Sequence, residues 1–567
     1  MPGILSRRGA SQLLVALLAG SAAARPKGTC VAKDAPTHGA VASENAICSK
    51  LGSSVIADGG NAADAMVATV ICVGTVAMYH SGIGGGGFML VRGSNGTYEF
   101  IDFRETAPAA STQDMYSNNT ELSEVGGLAS GVPGELRGLE YLHKHYGSKP
   151  WADLFAPSIK MAREGFEVST DLQNYMNKLS DASFLVDDPS WAVDFAPNGT
   201  RVKAGDIMTR KRYANTLEAV ATYGADAFYT GDIANATARA LQADNGIMTM
   251  EDLANYTVEI RDVAQIEYRG HKVTSTQAPS GGIVALSALN ILNGYTGFDN
   301  ESQFNLNTQR LNEAMRFAYG MRTKLGDPLF DEGLAEYTES MISSETAAEV
   351  RAKILDNQTF PVAYYNPDGL ESLPTPGTSH ISTADKSGLA VALTTTVNLY
   401  FGSHLCVPET GVVMNDEMND FSIPGSSNAF GYIPSESNYI RPGKRPQSSI
   451  SPTIVEKDGR LVLVVGAAGG SRIISATIQN VINSIDRGMS CYEALLQPRL
   501  HDQLSPAYTS FETTFDNATV DYLHRIGHNV SWVAPGQSTA QAVRLLPNGT
   551  FEAAGEPRQL SSGGYAV

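Results

Sequence analysis

The sequence predicts an α+β protein, and three observations carry that reading. Residues 38–150 mix helical and strand patterns, residues 151–355 are mostly helical patterns joined by polar loops, and residues 378–567 are rich in strand-like runs. The 567 residues are 43% apolar and only 18% charged, enough to build a large core and far from a disordered composition. That length suggests several domains or one composite domain. A net charge of −18 and a pI near 5.0 argue against nucleic acid and against an anionic membrane surface as partners.

At the N-terminus, Arg7 and Arg8 precede an apolar run from Leu13 that ends in Ala22-Ala23-Ala24, the pattern of a secretory signal (residues 1–24) removed before Arg25. The run falls short of the ~20 residues that span a bilayer, although an uncleaved anchor is the alternative. Ten N-x-[ST] sequons fit a secreted glycoprotein: Asn95, Asn118, Asn198, Asn235, Asn255, Asn300, Asn357, Asn517, Asn529 and Asn548. Secretion is the expected destination, with a vacuole-like or surface-anchored one as alternatives. The five cysteines form no CxxC and no zinc-ligand spacing with histidine. One or two disulfides are expected, with Cys48 and Cys72, both in helical patterns of one region, the preferred pair.

VASENAICSKLGSSVIADGG (41–60) reads as a helix ending at Gly59-Gly60, and NAADAMVATVICVGTVAM (61–78) as a helix opened by Asn61 and apolar on most sides. FMLVRG and YEFIDFRE read as two strands turning at Asn95-Gly96. The run Gly84–Gly87 lacks the Lys-Ser/Thr of a phosphate loop and precedes a strand rather than a helix, so close backbone packing near a site is its expected use. The stretches 150–166, 211–224 and 307–326 read as helices, and 261–293 as a strand followed by an Ala/Leu-rich helix. Residues 356–377 hold four prolines and two glycines without periodicity, the signature of a linker or mobile tail. Beyond it, TSHISTAD and LAVALTTTV form a hairpin around KSG, and GRLVLVVGAAGGSRIISATIQNVINSI reads strand, tight glycine turn, helix.

The junction Gly377-Thr378 raises a chemical question. A threonine hydroxyl attacks poorly without a base beside it. A threonine at a chain N-terminus carries its own, an α-amine with a pKa of about 7.7–8.0. That requires a cut just before Thr378, at a glycine that tolerates strained backbone.

Around it, TSHIS, TTTVN, NDEMNDFS, GKRPQSSISPTIV and GAAGGSRI, with SGIGGGGFMLVR, IDFRETAP and GGLASGVPGELRGL upstream, resemble the γ-glutamyltranspeptidases over nearly the whole chain after residue 24. The resemblance implies a four-layer αββα N-terminal-nucleophile hydrolase fold, one composite domain from two fragments of a self-cleaved precursor. These are a large fragment, 25–377, with its mobile end at about 356–377, and a small catalytic fragment, 378–567. It implies Thr378 as nucleophile, Thr396 as the hydroxyl bonded to it, and Gly469 and Gly470 as the oxyanion hole. Arg104 is implied as anchor of the substrate α-carboxylate with Ser448 and Ser449, and Asn398, Glu417 and Asp420 as the group holding the α-amine. Tyr400 and Phe430 resemble accessory positions, Phe430 in a covering loop. The implied activity is cleavage of glutathione and related γ-glutamyl amides, with transfer to water or to an amino acid or peptide acceptor, and with no metal or organic cofactor. Three rivals are weighed: a related acylase on glutaryl-type amides, which would need no amine-binding group; a secreted binding glycoprotein without activity; and a serine hydrolase, for which no G-x-S-x-G is present. His380 lies on the strand face of Thr378 and reads as a structural hydrogen-bonding residue. The histidines of HKH (143–145) read as ordinary helix surface.

Overall fold

The computed structural model describes residues 35–370, 377–426 and 433–567. The signal-like segment, Cys30 and Phe430 lie outside the described residues. Two antiparallel sheets form the centre. The strands are β1 (Gly39–Ser43), β2 (Gly86–Arg92), β3 (Tyr98–Phe103), β4 (Glu259–Arg261), β5 (Val263–Tyr268), β6 (His271–Thr276), β7 (Ser379–Asp385), β8 (Ala390–Thr396), β9 (Thr453–Lys457), β10 (Arg460–Ala468), β11 (Thr539–Leu545), β12 (Phe551–Ala554) and β13 (Gly563–Ala566). One sheet runs β13-β1-β7-β8-β2-β3-β4 and the other β12-β11-β10-β9-β6-β5.

The sheets stack face to face. Small side chains, Ala40, Ala42, Ala384, Ala390 and Ala392, meet Ile454, Val464 and Val543 between them. The pleat sends Met89 and Val91 of β2 to the opposite face, into the apolar cluster shared with helices α1 (Ala46–Ala57) and α2 (Ala62–Val76). Every residue of α2 is buried, which explains its nearly unbroken apolar sequence; Asn61 caps it and Asp64 closes a capping box. Helices α3 (Glu135–Tyr146), α4 (Trp151–Glu164) and α5 (Lys211–Tyr223) join that layer. On the far side α6 (Gly282–Asn293), α7 (Phe304–Arg322) and α8 (Arg472–Ile485) cover the second sheet. The result is the four-layer αββα arrangement. Both sheets take strands from before and after residue 377.

Three expectations are corrected. Residues 39–43, partly absorbed into a predicted helix, form β1, buried between β13 and β7; such a strand has no polar face to alternate with. Segment 261–293 holds two short strands, β5 and β6, before its helix rather than one. The stretch predicted as a mobile tail is folded over its first part. Tyr365 is buried and donates to Glu313 at 2.6 Å, and Phe360 stacks on Tyr364.

Candidate active site

The hairpin β7–β8 builds the centre. Ser379 pairs with Thr395, so the next position sets Thr378 beside Thr396. The Thr378 hydroxyl donates to Thr396 Oγ1 at 3.3 Å, and the Asn398 backbone N–H donates to the same oxygen at 2.8 Å. Thr378, buried and β-branched, is held at φ +90°, a left-handed conformation that costs about 1–3 kcal/mol and persists only where its surroundings impose it. Gly377 before it lies at φ +118°, and a Cβ there would sit 1.8 Å from the Asn398 carbonyl oxygen. The glycine run upstream serves the same crowding: a Cβ on Gly85 would meet the Thr396 carbonyl at 1.9 Å.

Strand β10 ends at Ala468 and the chain turns through Gly469 and Gly470, at φ +116° and +59°, into α8. The Gly469 N–H donates to the Gly377 carbonyl at 2.9 Å. The carbonyl preceding Thr378 thus already rests on a backbone donor of the predicted oxyanion pair, and the threonine hydroxyl belongs to the very next residue.

A charge cluster lies beside this centre. Arg104, just past β3, is buried and ion-paired with both Glu417 and Asp420, with Glu105 at 4.0 Å. Burial works against its charge, but Glu417, Asp420 and Glu105 raise its pKa overall. Burial in turn lifts Glu417 and Glu105 above the usual carboxylate range despite Arg104. The cluster joins the hairpin through Asp416. Its carbonyl accepts from Asn398 Nδ2 at 3.1 Å, and its carboxylate accepts from the Leu399 N–H at 2.9 Å. The sequence reading set Arg104 on a carboxylate and Glu417 and Asp420 on an amine; in the structure they hold one another, because buried opposite charges pair rather than stand alone. A zwitterion can replace that internal pairing, its carboxylate taking the guanidinium and its ammonium the acidic pair.

Ser448 and Ser449 are buried, and the Ser449 hydroxyl accepts from Arg322, a residue that sequence reasoning missed. Its only sequence signal was a basic residue ending an amphipathic helix, which reads as surface. Tyr400 packs on Tyr175 and His80, with Lys178 Nζ 5.6 Å from its ring centre. His380 is buried between the sheets, bonded to Thr394 Oγ1 at 2.7 Å and Ser382 Oγ at 2.9 Å, and burial pushes its pKa down to about 3. It is neutral and pinned. Cys48 and Cys72 form a disulfide joining α1 to α2, while Cys406 and Cys491 are buried free thiols. Among the described residues no cluster of His, Cys, Asp and Glu could hold a metal; His143 and His145 bond to the carbonyls of Lys149 and Tyr141.

The gamma-glutamyltranspeptidase family profile matches residues 48–566. The chain belongs to the γ-glutamyltranspeptidase family. Among similar curated relatives of this family member, a glutathione hydrolase proenzyme from Arthroderma benhamiae is 57% identical over 93% of each chain. A glutathione hydrolase from Aspergillus flavus is 50% identical over 93% of this chain and 89% of its own. The crystal structure of a cephalosporin acylase from Bacillus halodurans superposes with a TM-score of 0.80 at 25% identity, over 96% of this chain and 99% of its own. The stacked sheets and flanking helices of this transpeptidase-family chain are the N-terminal-nucleophile hydrolase fold.

Proposed function

We propose that the chain is a γ-glutamyltransferase and glutathione hydrolase that matures by cutting itself between Gly377 and Thr378. One observation carries the reading: the Gly377 carbonyl sits on the Gly469 N–H while the next residue, Thr378, is strained and hydroxyl-bonded to Thr396. In maturation Thr378 Oγ attacks the Gly377 carbonyl carbon. The C–N bond breaks and the nitrogen takes the hydroxyl proton. Water then hydrolyses the resulting ester, restoring the hydroxyl and leaving a free α-amine on Thr378. In turnover the same oxygen attacks the γ-carbonyl of the substrate, with the α-amine accepting its proton and the N–H at Gly469 holding the developing oxyanion. The amine product (Cys-Gly from glutathione) departs with that proton. The γ-glutamyl ester is then resolved by water or by an amino acid or peptide acceptor.

Support for the substrate comes from the acidic pair and the arginine, which suit an α-amine and an α-carboxylate together. A glutaryl-type acyl group, the alternative suggested by the structural likeness to a cephalosporin acylase, offers no ammonium to Glu417 and Asp420. We further infer a secretory route, supported by the exposure of all ten sequon asparagines and by the disulfide. The tests are direct. Purified protein should separate into two polypeptides only under denaturing conditions and hydrolyse a γ-glutamyl anilide far faster than its glutaryl counterpart. Thr378→Ala should run as one chain without activity; a fully active Thr378→Ala ends this reading. Enzymatic deglycosylation of protein secreted from its native host should lower its apparent mass.

A further inference from the structure

We propose that Arg322 is a positioning residue and a second cation for recognition of the substrate α-carboxylate, an inference that rests on the γ-glutamyl reading above. Arg322 ends α7 and is 4% exposed. Its Nη2 donates to Ser449 Oγ at 3.1 Å. The neighbouring Ser448 Oγ accepts from the Ile450 N–H at 3.2 Å. A hydroxyl whose oxygen already accepts a hydrogen bond keeps one proton to give. Both adjacent serines therefore have a hydroxyl proton to give, and a carboxylate has only acceptor oxygens to offer them.

Charge gives Arg322 a second task. Arg104 is already engaged by Glu417 and Asp420, with Glu105 close by. An incoming α-carboxylate must therefore compete with Glu417 and Asp420 for the Arg104 guanidinium. Arg322 lies within electrostatic reach of Asp420 and, bonded to Ser449, supplies positive potential on the serine side. A guanidinium does so at any pH the enzyme meets. Its seat is built: Gln447 Nε2 donates to the Arg322 carbonyl at 2.8 Å, tying the end of α7 to the loop that carries the serines.

The test compares three anilides on mature enzyme: γ-glutamyl, glutaryl (no α-amine) and 4-aminobutyryl (no α-carboxylate). Arg322→Met should cut the preference for γ-glutamyl over 4-aminobutyryl by about tenfold, the scale of one hydrogen bond to a charged group, chiefly through KM. The preference over glutaryl should hold within about threefold, and Arg322→Lys should recover part of the loss. If Arg322→Met does not fold, the cycle of Arg322→Lys with Ser449→Ala decides. Were the arginine to act through the serine, the double variant loses no more carboxylate discrimination than Ser449→Ala alone. Equal loss of both preferences, unchanged carboxylate discrimination, or additive losses in the cycle would overturn the proposal. A native enzyme with no γ-glutamyl preference would instead overturn the substrate reading beneath it.

Discussion

At Thr378 three separate constraints converge on one peptide bond. The Gly377 carbonyl is held by the Gly469 N–H, the Thr378 hydroxyl by Thr396, and the backbone between them sits in conformations a side chain resists. Gly377 is the residue that makes this possible, since any Cβ there meets the Asn398 carbonyl oxygen. Gly377→Ala is therefore expected to leave the precursor uncut, or to slow its cutting by well over tenfold, with the far-UV circular dichroism unchanged. Electrophoresis over a maturation time course checks this, and processing at the native rate would refute it. The residue types here were legible in sequence. Arg322 was not, because nothing in a helix-ending arginine announces a serine 127 residues away. Nor was the mutual pairing of Arg104 with Glu417 and Asp420, which needs the loop after β8 folded back on the end of β3.

Elements differed in how plainly they could be read. The hairpins β2–β3 and β7–β8 were evident because their pairing is local and their turns carry Asn-Gly and Lys-Ser-Gly. β1 was hidden because both its neighbours are strands after residue 377, and its small, buried residues carry no alternation. The segment leading to Gly377 looked loose by composition, yet Tyr365 anchors it to α7 through Glu313. The α1–α2 pair was legible down to its disulfide, which closes a loop with a sequence separation of 24. Replacing both Cys48 and Cys72 by alanine is expected to cost about 3 kcal/mol, the loop-closure entropy returned to the unfolded chain. Urea unfolding should show the lower midpoint; an unchanged midpoint would mean that the helices hold each other without the bond.

Across the whole molecule, both sheets combine strands from before and after residue 377, so the two parts of the chain are held in one body by shared sheets and cores. The pH response is also distributed. Burial drives His380 and His501 down to about 3 and His528 to about 4, so their contribution to stability is complete above about pH 6.5 and is lost as pH falls toward those values. Burial lifts Glu135 to about 8 and Glu313 to about 7, so theirs is complete below about pH 4.5 and is lost as pH rises through the folded values. The two trends oppose each other between about pH 4.5 and 6.5. Calorimetry should find the highest Tm there, with a fall toward pH 8 that Glu135→Gln makes shallower. An equal fall in that variant would show that Glu135 is not titrating as its burial requires.

Sequence alone determined the α+β class, the hairpins, the glycine turns and which hydroxyl, guanidinium and carboxyl groups were at hand, because these follow from local periodicity and residue chemistry. Only the tertiary structure decided that Thr378 is strained, that the Gly377 carbonyl meets Gly469, that Arg104 is held by two carboxylates and that Arg322 reaches Ser449. Each of those depends on a contact between residues far apart in the chain, whose geometry is set by the stacking of the two sheets rather than by any neighbour in sequence.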